Sequence, residues 1–148
     1  MSPDGSKFDV LFVGTSTGQL IKAVNSLSPK SRTTTRTVII EEIELMTSPV
    51  KIVTVVNSKK GAGHVVVTSA VEMKSVSLYR CDKARTCVEC VALQDPYCAW
   101  SVREDTCSGA QSWSKGSQSD FLQSVHTGRH SECPGGQSLP PTAPTGNM

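Results

Sequence analysis

The sequence predicts a mostly β chain in two parts: a repeated antiparallel β unit, then a small disulfide-rich module. Three observations carry this. Residues 1–80 contain several short β-branched or alternating runs separated by polar turns, and no cysteine. All six cysteines lie in the pattern Cys81-x5-Cys87-x2-Cys90-x7-Cys98-x8-Cys107-x25-Cys133. Only scattered apolar residues accompany them, among them Val88, Val91, Leu93, Tyr97, Trp100, Trp113 and Phe121. A module of that size is marginal on burial alone. An even number of crowded cysteines is the usual compensation.

In chain order, Val10-Leu11-Phe12-Val13 reads as a buried strand and Gly14-Thr15-Ser16-Thr17-Gly18 as a turn, with Gly14 and Gly18 as its structural glycines. Leu20–Val24, interrupted by Lys22, completes a hairpin. Arg32–Thr35 reads as a polar connector. Thr37–Leu45 begins apolar and passes into alternation, as in an outer strand with one wet face. Glu41, Glu42 and Glu44 on it read as a solvent-facing edge that blunts unwanted pairing, rather than as catalytic or metal carboxylates.

Pro49 opens a second unit. Val50–Val56 is strongly β-forming, Lys59–Gly63 a turn, His64–Thr68 a further strand and Glu72–Leu78 a weaker one. The second unit echoes the first, as blades of a propeller do, at roughly 54 residues rather than the ~40–45 of the commonest blade repeat. Eighty residues amount to about one and a half blades, which leaves edges unpaired. After Cys133, residues 134–148 are dominated by Pro and Gly and read as a linker or disordered tail.

A net charge of +2 and a pI near 8.2 do not suggest a nucleic-acid face. The pairs Lys59-Lys60 and Arg32/Arg36 read as solvated positions. No run approaches the ~20 apolar residues that cross a bilayer, and Met1–Lys7 lacks the apolar stretch of a signal peptide. Cysteines that ask for an oxidising compartment, on a start that offers no route to one, predict an internal piece of a longer secreted or membrane-anchored protein.

From Cys87 through Asp95-Pro96-Tyr97-Cys98-Ala99-Trp100 the chain resembles the plexin–semaphorin–integrin (PSI) module as semaphorins carry it. Upstream, Asp9–Thr15 through Lys22, then Ile39-Ile40-Glu41-Glu42, resembles the last one to two blades of the seven-bladed sema propeller, and Leu78-Tyr79-Arg80-Cys81 resembles the handover. The resemblance divides the chain into residues 1–79 of propeller, 80–133 of a cysteine-knot-like PSI module and a tail. It implies an extracellular guidance ligand, secreted or at the cell surface, whose intact parent binds a plexin receptor and dimerises. No receptor-binding residue is assignable here, because those surfaces lie chiefly on earlier blades.

Six cysteines allow fifteen pairings. The resemblance implies Cys81–Cys98, Cys87–Cys133 and Cys90–Cys107, with Trp100 as an apolar lid over them and Pro96 and Tyr97 as structural residues. Two departures stand out. Ser101 follows Trp100 where other PSI families often carry a cysteine, and Thr68-Ser69 stands where the final blade usually has a glycine, so that turn is expected to be rebuilt without positive φ.

Other chemistry is weaker. A zinc site would recruit Cys87-x2-Cys90 with His126-x3-His130 or Cys133, but 35 residues separate Cys90 from His126 and three cysteines would be left over. Thioredoxin-like redox wants the Cys pair at a helix N-terminus in a βαβ setting, which is not expected here. His64 reads as a partly exposed strand residue and Gly61-x-Gly63 as a plain turn; Ser16 lacks a nucleophile elbow. Asn25-Ser26-Leu27 and Asn57-Ser58-Lys59 are not glycosylation sequons. No enzyme and no cofactor is therefore expected. Rival readings are a plexin-type receptor ectodomain, an integrin-like adhesion segment and, remotely, an intracellular zinc-binding protein.

Overall fold

The structure, a computed structural model, describes residues 2–28, 31–59 and 62–134. The tail expected from Gly135 onward, and Lys60 and Gly61 of the expected turn, lie outside the described residues. Strands β1 (Val10–Gly14), β2 (Gln19–Ser28) and β3 (Ser31–Glu44) form one antiparallel sheet in the order β1-β2-β3. Strands β4 (Val50–Val56), β5 (His64–Ser69) and β6 (Met73–Ser77) form a second, in the order β4-β5-β6. Each is a meander, because short polar turns let consecutive strands pair.

The expected connector at Arg32–Thr35 is instead part of β3, whose pairing with β2 runs Ser26↔Arg36 and Leu27↔Thr35. Three consecutive threonines suit a pleated strand better than a loop, since β-branching stiffens χ1. A register shift between Lys22 and Ala23 of β2 inserts Ile40 as an extra residue in β3.

Between the sheets lies a core of Leu20, Met46, Val65, Val67 and Leu78, flanked by Phe12, Ile43, Val50 and Val53. Val65 and Val67 alternate with half-buried or exposed neighbours along β5, as a strand with one core face requires. At the β5–β6 turn the Ser69 hydroxyl accepts from the amides of Val71 and Glu72, and Ser69 is absent from the positive-φ residues. A serine-built turn thus forms here without positive φ at Ser69, as expected.

Gly14 and Gly18 both sit where the sheets meet. A Cβ on Gly14 would come within 2.2 Å of Val50 Cγ1. Gly18 has φ +85°, its carbonyl accepts from the amides of Leu45 and Met46, and a Cβ there would lie 1.9 Å from the Met46 carbonyl oxygen. Gly18→Ala should therefore cost about 2–4 kcal/mol, combining left-handed strain with a backbone clash. Gly5, also at positive φ but with nothing within 4 Å, is the control. Gly5→Ala should cost about 1–2 kcal/mol at most. Denaturant unfolding of the two variants, with equal losses, would refute the clash.

The module has a third sheet, β7 (Cys98–Ser101), β8 (Thr106–Gly109) and β9 (Phe121–Leu122), in the order β8-β7-β9. One short helix, α1 (Cys87–Ala92), packs on it. Its core is Cys81, Cys87, Cys90, Val91, Cys98, Trp100, Cys107, Leu122 and Cys133. No helix among the described residues is long and apolar enough to cross a membrane.

Candidate functional site

The cysteines of the core are joined as Cys81–Cys98, Cys87–Cys133 and Cys90–Cys107, at sequence separations of 17, 46 and 17. Trp100 is buried among them on the central strand of the sheet. The loop before β7 is wound tightly. Pro96 is buried, Asp95 Oδ1 accepts from the Tyr97 amide, and the Asp95 carbonyl accepts from the Cys98 amide. From outside, the Gln123 side-chain amide lies 2.8–3.3 Å from the carbonyl oxygens of Asp95, Pro96 and Cys98.

Contrary to the expectation for Cys87-x2-Cys90, this pair does stand at a helix N-terminus. Thr86 caps α1 by accepting from the Glu89 amide, and Glu89 accepts from the Arg85 amide. Thr86-x-x-Glu89 is a helix-start signature that the cysteine pattern overshadowed. The two cysteines are bridged to different partners, and the surrounding sheet is antiparallel rather than βαβ. Neither feature matches a dithiol redox pair.

His126 and His130 serve other contacts. His126 Nδ1 lies 2.7 Å from Ser26 Oγ, its ring rests against Phe8, and its carbonyl accepts from Arg36. His130 faces Glu132. No group of three or more metal-ligating side chains occurs among the described residues.

These contacts belong to a junction between the first sheet and the module, built from one face of β2. Strand parity puts Leu20, Lys22, Val24 and Ser26 on that face. Phe12, Lys22 and Glu41 are aligned across β1, β2 and β3. Lys22, expected only to interrupt a strand, is 3% exposed and its ammonium donates to Asp95 Oδ2, itself 4% exposed, and to the Leu78 carbonyl. It also lies 5.0 Å from the Tyr97 ring centroid and 5.8 Å from that of Phe12. Tyr97 stacks in turn on Tyr79. Burial holds Lys22 below its ordinary pKa despite the attraction of Asp95. Burial, and secondly the Asp95 charge, push the Tyr97 phenol up.

Glu41 corrects the expectation of a wet acidic edge. Its carboxylate pairs with Arg80 and with Lys83 at 2.7 Å, tying β3 to the first turn of the module. Burial pushes Glu41 up, but hydrogen bonds and charge from Arg80 and Lys83 outweigh it and hold its carboxyl below the ordinary value. The clamp therefore stabilises fully above the ordinary carboxylate range and is lost as pH falls through the lowered folded value. Glu41→Gln should cost about 1 kcal/mol, since its partners are partly wet, and the variant should lose less stability than the parent on acidification. Parallel unfolding curves at neutral and acid pH check this; an equal acid loss in both proteins refutes it.

Sequence reasoning singled out the cysteines and Trp100 but missed Lys22, Glu41, Ser26, Arg36 and Gln123. For Lys22 a signal existed: a lysine between Leu20 and Val24 on the inward parity of an apolar strand needs a buried partner.

The Sema domain model matches residues 1–59 and the PSI (plexin repeat) model residues 80–134. Semaphorin-1A of Schistocerca americana is 43% identical over 140 residues, covering 90% of this chain and 19% of that protein, so the chain spans about a fifth of this relative. Among solved structures, Drosophila Semaphorin 1a, extracellular domains 1–2, aligns with a TM-score of 0.72 at 37% identity, over 90% of this chain and 26% of that one. A chain of the solved structure of Drosophila Plexin A in complex with Semaphorin 1b, which holds both proteins, aligns with a TM-score of 0.73 at 31% identity, over 85% of this chain and 25% of that one. With sema strands leading through the Leu78–Cys81 handover into a PSI module, the chain belongs to the semaphorin family and spans the C-terminal part of its sema domain and the PSI module.

Proposed function

We propose that this chain is part of an extracellular semaphorin-type ligand, with residues 1–79 completing the propeller and residues 80–133 forming a rigid spacer. The intact protein binds a plexin receptor and, as a dimer, brings receptors together. The observation that carries the reading is the match to a chain of the Drosophila Plexin A–Semaphorin 1b complex over 85% of this sequence. A plexin-type receptor piece is the weaker reading, because the curated relatives are semaphorins. The role assigned to the chain is mechanical. Three crosslinks and a buried junction give it a fixed shape, and no acid–base or nucleophilic constellation is assigned to it.

Binding of the full protein carrying this chain to plexin ectodomains on cells tests the partner. Saturable binding that triggers cytoskeletal collapse is expected; folded, oxidised protein that binds no plexin would overturn the reading. The pairing Cys81–Cys98, Cys87–Cys133 and Cys90–Cys107 is part of the same proposal and is tested by a non-reducing peptide map. Free thiols or bound zinc in the folded protein would sink the extracellular assignment.

A further inference from the structure

We infer that Lys22 is the positioning residue of the junction: its ammonium seats in an acceptor pair, Leu78 O and Asp95 Oδ2, that the Cys81–Cys98 bridge holds together.

The two acceptors come from segments far apart in sequence. Leu78 lies three residues before Cys81, and Asp95 three residues before Cys98. The bridge between those cysteines brings the two segments side by side, and the stack of Tyr79 on Tyr97 aligns them just inside it. Cys81 Sγ also lies 3.6 Å from the Tyr97 carbonyl oxygen. The result is a socket with a carbonyl on one side, a carboxylate on the other and a tyrosine ring over the top. All three bridges lie in the core of the module, and Cys81–Cys98 is the one whose cysteines closely follow the two acceptor residues in sequence.

Orientation follows from geometry and charge together. A lysine on a central strand has little room to swing, and a dry cation must keep its partners. Any rotation of the module that removes Leu78 O or Asp95 Oδ2 strands the ammonium away from both water and acceptors. Apolar contacts such as Leu78 against Val65 tolerate small slips; this contact does not. The Phe8–Ser26–Arg36 contacts with His126 act further along the same face of β2 and limit rotation about the Lys22 contact. The seating is a property of the chain itself and needs no receptor.

The test compares the full chain with Lys22→Met/Asp95→Asn, which removes both charges and so leaves neither one stranded. Spin labels carried on non-natural residues at exposed Glu42 and Arg103 report the distance between sheet and module. The parent should give one narrow distance. The double variant should keep its disulfides and thermal midpoint but broaden the distribution about twofold, as expected of units without a specific latch. Cys81→Ala/Cys98→Ala should broaden it similarly, and combining the two pairs of substitutions should add little, because both dismantle one socket. An unchanged width in the oxidised double variant, or full additivity of the two pairs, would overturn the proposal. If the double variant fails to fold, Lys22→Arg decides: its larger head should shift the mean distance, and an unshifted mean would overturn the proposal equally.

Discussion

Asp95→Ala should lower stability by about 3–5 kcal/mol, the range for breaking a buried ion pair from one side. The loss comes mostly from what remains. Lys22 stays 3% exposed, with only the Leu78 carbonyl as acceptor and two aromatic rings for company. The turn amide of Tyr97 loses its acceptor as well. Lys22 can escape by releasing its proton, which sets a ceiling. Neutralising a lysine of ordinary pKa at pH 7 costs about 1.36 kcal/mol for each of roughly 3.5 units, close to 5 kcal/mol. The sign of the pH dependence follows. With its folded pKa depressed further, Lys22 binds fewer protons folded than unfolded, so stability rises with pH between the two values. The deficit of Asp95→Ala relative to the parent should be full at neutral pH and shrink as pH approaches the ordinary lysine value. Urea unfolding at pH 7 and pH 10 measures it. A deficit that stays the same would mean that the lost carboxylate matters for packing and not for charge.

Cys87→Ser/Cys133→Ser should cost about 2–5 kcal/mol and block secretion of the folded protein. This bridge has the greatest sequence separation, 46 residues, and ties α1 to the last described turn of the module. The chain-entropy relation assigns it about 4 kcal/mol, against about 3 kcal/mol for each of the two bridges at separation 17. The core it closes is small and made largely of sulfur, so little apolar burial stands in reserve. Replacing both cysteines avoids a stray thiol that would scramble the remaining pairs. Parental secretion yield together with an unchanged thermal midpoint would contradict the role given to this bridge.

Much of the strand layout was legible because a pleated strand with one core face writes its period into the sequence, as Val65 and Val67 do along β5. Helix α1 was hidden for a local reason. Six residues are too few for a helical period to appear, and only the Thr86-x-x-Glu89 cap marks it. Arg32–Thr35 is polar enough to read as a loop, yet it lies in β3, where the β-branching of its threonines is the stronger signal.

The residues alone show a mostly β chain in which a cysteine-free half precedes a cysteine-rich one, and the Asp95–Trp100 string adds a resemblance to a PSI module. These are local properties: periodicity, turn chemistry and spacing act between near neighbours. The pairing of Lys22 with Asp95 across 73 residues of sequence, the clamp of Glu41 on Arg80 and Lys83, and the contact of His126 with Ser26 of β2 exist only once the chain is folded. A charge carries no mark of its partner along the chain. Whether it is wet or buried depends on what the fold brings against it, and here the fold brings the module against one face of β2.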